Sequence, residues 1–424
     1  MWYWHVVSRF SSRLSWCALV SLVAAGCARD PILDPDDGSA VRADATDVSA
    51  LSPDARDSSA AQDAQPTTDG SERVCERDIP REGAYRATRG EVYFGDERVR
   101  LWGLNWFGLE TPDRAPHGLW MRSLDFLLDR VRALGFNALR LPLSPESIRP
   151  GFRSASWAIR GDTDTGREQL EAVIDGARQR GMRVLLSFHT CNPAQLGGSL
   201  PGSPTACGGY SESEWTADLE RMASLATQYF PTVVGVDLVN EPHALRWSDW
   251  RELARRGGSA VLCREPRVLV FVEGVGNAST SATAPAYWGK NFTEASLAPV
   301  ELPASRLVYS PHVYGPSVAD MGYFHAADFP RNLAGVWQAH FGHLLDAGHN
   351  VIIGEFGGHY DDARARGDVA WHDALVTWML ERGARDFFYW ALNPNSGDTG
   401  GVLMDDWSTP NERKDALLRR LMQP

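Results

Sequence analysis

The chain contains no block of lysine or arginine and no basic stripe interleaved with aromatics, and its formal net charge is −12. Nothing in it would neutralise a phosphate backbone, so nucleic acid is excluded as a partner. Its six cysteines never fall at CxxC spacing, and His312-Val313-Tyr314 has no second histidine at ligand spacing. No metal and no cofactor is therefore expected. The apolar run from Leu14 to Gly26 is too short to span a bilayer comfortably. No internal repeat below the βα unit is visible.

What is present begins with an export signal. Arg9 and Arg13 precede the apolar run, which ends in the small residues Ala24, Ala25 and Gly26 before Cys27, so residues 1–26 read as a signal peptide. The Ala-Ala-Gly-Cys ending resembles a bacterial lipoprotein cleavage box. That resemblance implies lipidation of Cys27 and an exported protein that meets the membrane only through this N-terminal anchor. Ala28 after the cysteine points to the outer membrane or cell surface in a two-membrane cell; an ordinary signal peptide and free secretion is the alternative. Residues 27–73 are rich in Asp, Ala, Ser and Pro and carry no aromatic residue. They cannot bury enough apolar surface to order themselves and read as a disordered acidic linker. Export removes Cys17 and assigns Cys27 to the anchor. Cys75, Cys191, Cys207 and Cys263 remain, and four cysteines permit three pairings. Cys191 and Cys207 bracket one Gly/Pro-rich loop, which favours a disulfide there and leaves Cys75 with Cys263.

From residue 74 to 424 short aliphatic runs alternate with amphipathic stretches, the α/β texture of a parallel sheet. Candidate strands are Arg100 to Leu104, Ala138 to Leu141, Arg183 to Phe188, Val233 to Leu238, Val268 to Val272, Leu307 to Ser310, Asn350 to Ile353 and Asp386 to Tyr389. Eight such units predict a (β/α)8 TIM barrel as a single catalytic domain. Helices are expected over Ser123 to Leu134, stopped by Gly135, and from the Ser211/Glu214 capping box through Tyr229. Two more are expected over Asn332 to Ala347 and Val369 to Arg382.

On such a barrel the functional groups lie beyond the carboxyl ends of the strands. Asn240-Glu241-Pro242 follows the fourth candidate strand and Gly354-Glu355-Phe356-Gly357 the seventh, so the two glutamates face each other across the mouth. Splitting a glycosidic bond requires one carboxyl to protonate the departing oxygen and another to attack or stabilise the anomeric carbon.

The stretches GLNWFGLET, HGLW, LGFNALRLP, DLVNEPH, FVEGV, LVYSPHVYG, GEFG and NPNSGDTGGVLMDDW together resemble glycoside hydrolase family 5, over nearly all of Trp102 to Trp407 and most of all its bacterial endo-β-1,4-glucanase branch. The resemblance implies a retaining, endo-acting cellulase that cuts β-1,4-glucan, with Glu241 as acid/base and Glu355 as nucleophile. Arg140 is then expected to hydrogen-bond the nucleophile and lower its pKa. Asn240 would bind the sugar 2-hydroxyl, His189, His312 and Tyr314 would orient glutamates and substrate, and Trp390 would form the platform under the sugar. His117, Trp106, Asn393 and Asp398 are further candidates for substrate contact or support; Trp120, Trp288 and Trp407 either line subsites or pack. The loop from Thr190 to Tyr210 departs from close relatives in detail. β-Mannan, xyloglucan or glucosylceramide cleavage on the same scaffold stays open, as does a non-catalytic carbohydrate-binding surface protein, although neither carboxylate is lost. A monomer is expected.

Overall fold

The computed structural model describes residues 82–161, 163–194, 209–276, 285–286 and 289–423. The expected signal peptide and linker, with Cys27, Cys75, Cys207 and Trp288, lie outside the described residues. Cys191 and Cys263 are both disulfide-bonded; Cys207 and Cys75, the partners expected for them, are among the residues not described.

Ahead of the first βα unit stands an antiparallel sheet that the sequence reading does not anticipate: β1 (Tyr85–Thr88), β2 (Glu91–Phe94) and β3 (Glu97–Val99). There follow β4 (Trp102–Asn105), β5 (Ala138–Leu143), β6 (Arg183–Phe188), β7 (Val233–Asp237), β8 (Leu269–Val272), β9 (Leu307–Tyr309), β10 (His312–Tyr314), β11 (Glu355–Gly357) and β12 (Phe387–Tyr389). Seven of these form one parallel sheet in the order β12-β4-β5-β6-β7-β8-β9. The sheet curls until its edges meet over the segment 351–353, where Tyr309 bridges Val351 and Ile353 bridges Phe387. This is consistent with the expected (β/α)8 barrel. The seventh candidate strand, Asn350 to Ile353, thus makes only single bridges, because it offers alternate residues to opposite neighbours and neither ladder lengthens. Regular pairing resumes at β11, which runs parallel to β10 with His312 opposite Glu355. Pro311 separates β9 from β10, since it has no N–H to donate to a ladder.

Period-two alternation sorts the strand residues into two cores. Leu101, Ala138, Leu185, Val234, Leu269, Phe271, Val308, Ile352 and Phe388 fill the interior of the curl and cluster with Tyr85, Ala87 and Val92 of the N-terminal sheet. That sheet closes the amino end: Tyr85 N–H donates to Arg267 O, Ala87 N–H to Ser305 O, and the Tyr85 hydroxyl to Pro231 O. All three acceptors lie just before barrel strands, so the lumen is sealed at the end away from the site.

Outside the sheet, helices cover the second core. Leu124–Ala133 is capped by Ser123 and followed by Gly135 at φ 95°, and Glu212–Gln228 starts with the Ser211/Glu214 capping box. Gly166–Gln179, with its Thr165/Glu168 box, and Trp247–Arg264 complete the middle of the ring. The expected helix at Asn332 to Ala347 is divided by a π turn at Gln338–Gly342, whereas Asp368–Glu381 is unbroken.

A Cβ added at Gly103 would lie 2.1 Å from the Phe388 ring inside the lumen. Gly103→Ala is expected to destabilise the protein by about 1–3 kcal/mol through overpacking, read as a lower denaturant midpoint. An unchanged midpoint would mean the ring can move aside.

Candidate active site

The alternation that fills the lumen also sets the tier above it. Beyond several lumen positions the same alternation brings site residues to the mouth: Ala138 leads to Arg140, Phe271 to Glu273, Phe388 to Trp390, and Val308 through Ser310 to His312. Nine-tenths or more of each of Arg140, Glu273 and His312 is buried. Charges so placed persist only when paired.

Arg140 is the hub of that pairing. Its Nη1 donates to Glu355 Oε1 at 2.5 Å and to Asn105 Oδ1 at 2.9 Å. Nε and Nη2 grip Asp237 Oδ2 at 3.0 and 2.7 Å, and Nη2 also reaches Glu273 Oε1 at 3.0 Å and Asn240 Oδ1 at 3.2 Å. Asn105 is in turn tied to Gly354 O and Tyr389 O, so the far strands hold the arginine in place.

Glu355 is the more enclosed of the two expected catalytic glutamates. The Tyr314 hydroxyl donates to its Oε2 while Arg140 holds Oε1. Burial pushes the carboxyl above its ordinary range; His312 and Arg140 pull it back, and the neighbouring Glu241 adds to the rise. The expectation that Arg140 would leave this pKa lowered is therefore corrected: its pull is real, but desolvation outweighs it.

Glu241 is half-buried, with its side chain 23% exposed. Its backbone is left-handed, φ 49°, which for a residue with a Cβ costs roughly 1–2 kcal/mol. The N–H is satisfied by Glu273 Oε2 at 2.8 Å, and Oε1 lies 3.0 Å from His312 Nδ1. His312 Nδ1 is also 3.4 Å from Glu355 Oε2. Its Nε2 is 3.1 Å from Glu273 Oε1, but too poorly aligned for a good hydrogen bond, so that contact acts chiefly through charge. Burial alone would lower the His312 pKa, but Glu273, Glu355 and Glu241 outweigh it and push it up to about 10. One oxygen of Glu241, one of Glu355 and a His312 nitrogen lie within 4.8 Å of one another, as do donor atoms of Asp237, Glu273 and His312. Each acid in these two groups already faces Arg140 or His312, so the positive charge they call for is supplied by side chains.

The aromatic side of the mouth is equally specific. Trp390 is nearly parallel to Phe107, at 5.6 Å and 14°, and to His189, at 5.8 Å and 14°. Burial, with Arg140 and His312 adding to it, holds His189 well below the usual histidine range and so neutral. His117 is placed by Asp113 at 3.1 Å and Asn395 at 3.1 Å, and its ring meets Phe107 and the half-exposed Trp120 edge-on.

Two candidates have supporting places rather than substrate-facing ones. Trp106 is fully buried and its Nε1 donates to His117 O at 2.9 Å. Asn393 is also fully buried, with Oδ1 accepting from Phe107 N at 3.2 Å and Nδ2 donating to Phe107 O at 3.1 Å. Together they fix the Phe107–His117 loop. Trp407 is packed against Gly118, and Asp398 is exposed. The sequence reading assigns no role to Asn105, Asp237 or Glu273. The available signal was an acid or amide closing an apolar run, as in Val233–Asp237 and in Leu269–Val272 followed by Glu273.

Two carboxyl groups this close, one clamped between arginine and tyrosine and the other open to the mouth, are the equipment for splitting an acetal, and on a curled parallel sheet they define a glycosidase. The family model for cellulase (glycosyl hydrolase family 5) matches residues 95–396, and the chain belongs to glycoside hydrolase family 5. It is 40% identical over 335 residues to the major extracellular endoglucanase of Xanthomonas campestris pv. campestris, covering 76% of this chain and 68% of that protein. An endoglucanase of Paenibacillus polymyxa is 39% identical, covering 76% and 82%. Among solved structures, an endocellulase from Pyrococcus horikoshii in complex with cellotetraose superposes with a TM-score of 0.75 at 36% identity, over 82% of this chain and 100% of that one.

Arg140→Met would leave Asp237, Glu273 and Glu355 buried without their cation. A loss of about 3–5 kcal/mol of stability at pH 7 is expected. The pKa values of Glu273 and Glu355, already raised by burial, would lose the downward pull of Arg140 and stand further above their unfolded values. The penalty should accordingly be small near pH 4 and grow as pH rises through the folded values. Equal losses at pH 4 and pH 7 in chemical denaturation would contradict this account.

Proposed function

We propose that this family 5 enzyme is an endo-β-1,4-glucanase working by double displacement. The observation that carries the reading is the approach of Glu241 and Glu355 to within 4.8 Å. Retaining enzymes hold their two carboxyl groups about 5–5.5 Å apart, whereas inverting ones need room for a water between them.

In the first step Glu355, ionised and held by Arg140 and Tyr314, attacks the anomeric carbon. The glycosidic bond breaks and Glu241 gives its proton to the departing oxygen. In the second, Glu241 takes a proton from water, the water oxygen bonds to the anomeric carbon, and Glu355 leaves with its electron pair. Asn240 contributes through its amide: with Oδ1 committed to Arg140, Nδ2 is the donor available to a sugar hydroxyl. Trp390, Phe107 and Trp120 supply flat apolar surface of the kind that β-linked rings stack on.

The relatives' names favour a glucan, since one structural neighbour holds cellotetraose and the others are endoglucanases. The name of the Xanthomonas enzyme includes "extracellular", which with the apolar leader favours export here. A lipid on Cys27, an extended linker over 27–73, a catalytic domain over 74–424 and a monomeric state complete the proposal.

Reducing-end release by residues 74–424 on carboxymethyl cellulose, mixed-linkage β-glucan, xylan and mannan tests the reading. Activity on the two glucans, falling by at least about a thousandfold in Glu355→Gln and Glu241→Gln, is expected. Activity on mannan alone would keep the chemistry and change the substrate; silence on all four would overturn the proposal.

Acidity supplies a second check. The Glu355 carboxyl is pushed up by burial, and it must be ionised to attack. The acidic limb of kcat/KM is therefore expected above the roughly 4.3 of a free glutamate. A limb at or below that value would show that Arg140 and His312 prevail over burial.

A further inference from the structure

Glu273 takes no part in the double displacement as written, yet it touches the Glu241 backbone, Arg140 and His312 at once. It is fully buried and its two oxygens are divided between tasks. Oε2 accepts the backbone N–H of Glu241 at 2.8 Å. Oε1 accepts from Arg140 Nη2 at 3.0 Å and lies 3.1 Å from His312 Nε2. Gly289, at φ 72°, packs against this arrangement so closely that a Cβ there would come within 2.8 Å of Glu273 Oε2 and 3.1 Å of Glu241 Cγ.

We infer that Glu273 is a positioning residue for the acid/base. It holds the left-handed backbone of Glu241 by its N–H and keeps His312 in the cationic form, so that His312 occupies Oε1 of Glu241 and the transferable proton is carried on Oε2. The inference rests on Glu241 being the acid/base.

The charges around His312 support this. It is faced by Glu241 and Asp237 from the end of β7, Glu273 from the end of β8 and Glu355 from β11, with Arg140 of β5 and neutral His189 beyond β6 as the remaining titratable neighbours. Arg140 alone cannot balance Asp237, Glu273 and Glu355 in a dry tier. A protonated imidazole supplies the second cation: its Nδ1–H meets Glu241, and its positive charge lies 3.1 Å from Glu273 Oε1 at Nε2. A neutral ring would turn a lone pair toward one of those carboxylates, leaving two acceptors face to face. The link to catalysis is geometric. With Oε1 of Glu241 engaged by the Nδ1 proton, only Oε2 is left to bear the acid proton, and proton delivery then requires no reorientation of the carboxyl.

Glu273→Gln removes the charge and keeps the size, but its amide nitrogen must then face at least one of the donors on Glu241, Arg140 or His312. Expected outcomes are a kcat about ten- to a hundredfold lower with KM little changed, and an alkaline limb of kcat/KM displaced to lower pH as the tier loses a negative charge. Glu273→Asp, which retains the charge, should restore the position of the limb even if its shorter reach leaves kcat low. An unaltered pH profile and kcat in Glu273→Gln would overturn the inference. Should that variant fail to fold, nitrogen-15 NMR of the wild-type imidazoles decides: His312 is expected to carry protons on both ring nitrogens at pH 8, and a neutral ring there would overturn the inference. That measurement needs no substrate, so it separates this claim from the proposed activity, which falls only if the wild-type enzyme releases no reducing ends.

Discussion

The rest of the site depends on one unfavourable act, the burial of the Arg140 guanidinium at the centre of the barrel mouth. In water an arginine and a carboxylate attract weakly; in a desolvated tier the same pair interacts far more strongly, but only after both have lost their hydration. Arg140 answers that loss by binding Asp237, Glu273 and Glu355 at once, with Asn105 and Asn240 taking its remaining reach. The arrangement demands a dry floor. The N-terminal sheet closes the amino end with Tyr85, Ala87 and Val92, and a layer of aliphatic and phenylalanine side chains lies between that seal and the arginine. A sheet that contributes no group to the chemistry thereby helps to set its dielectric.

Within this frame the two glutamates are made unequal. Glu355 has both oxygens engaged, by Arg140 and by Tyr314, and is nearly closed off from solvent. Glu241 keeps part of its carboxyl open and is oriented through His312. Two carboxyls this close repel when both are ionised, so holding one proton between them is the favoured resting condition, and the surroundings decide which of them holds it. Arginine and tyrosine stabilise charge on Glu355, while the open position suits Glu241 to carry and return a proton. The upward push that burial gives Glu355 limits this division. On the proposed mechanism Glu355 is ready to attack only because two cations and a phenol oppose desolvation together.

The aromatic rim shows a similar layering of support. Trp390 is held at its indole nitrogen by Ser396, Ser396 meets Thr399 at 2.8 Å, and the Thr399 carbonyl accepts from Lys414 at 2.6 Å. Lys414 is one of only two lysines in the chain, and both are buried. The helix Glu412–Arg419 is in this way joined to the aromatic rim, and the Ser-Gly-Asp-Thr loop serves to hold Trp390. Asn393 and Trp106 act likewise on the Phe107–His117 loop.

Much of this was legible in the residues. The strands announced themselves as apolar runs, and the acids and amides that end them mark the mouth, so Glu241 and Glu355 could be named before any coordinates, while Arg140 and His312 came from the family resemblance. Two things could not. Whether a tryptophan or an amide faces substrate or core is settled by packing from distant segments, which is why Trp106 and Asn393 stood open between contact and support until their buried hydrogen bonds to the Phe107–His117 loop were seen. The net shift on a carboxyl was equally hidden, because it is a small difference between large opposing effects: the sequence reveals the partner Arg140 but not the depth at which both groups lie. Glu273 falls between these cases. Its letter stands in the same pattern as Asp237, an acid closing an apolar strand, and the rule that a carboxylate there must have partners applied to it as fully as to Glu241. What the pattern does not contain is that its partners are the backbone of one glutamate and the cations that attend the other, and that relation arises only when the sheet curls and brings β5, β7, β8 and β10 around one point.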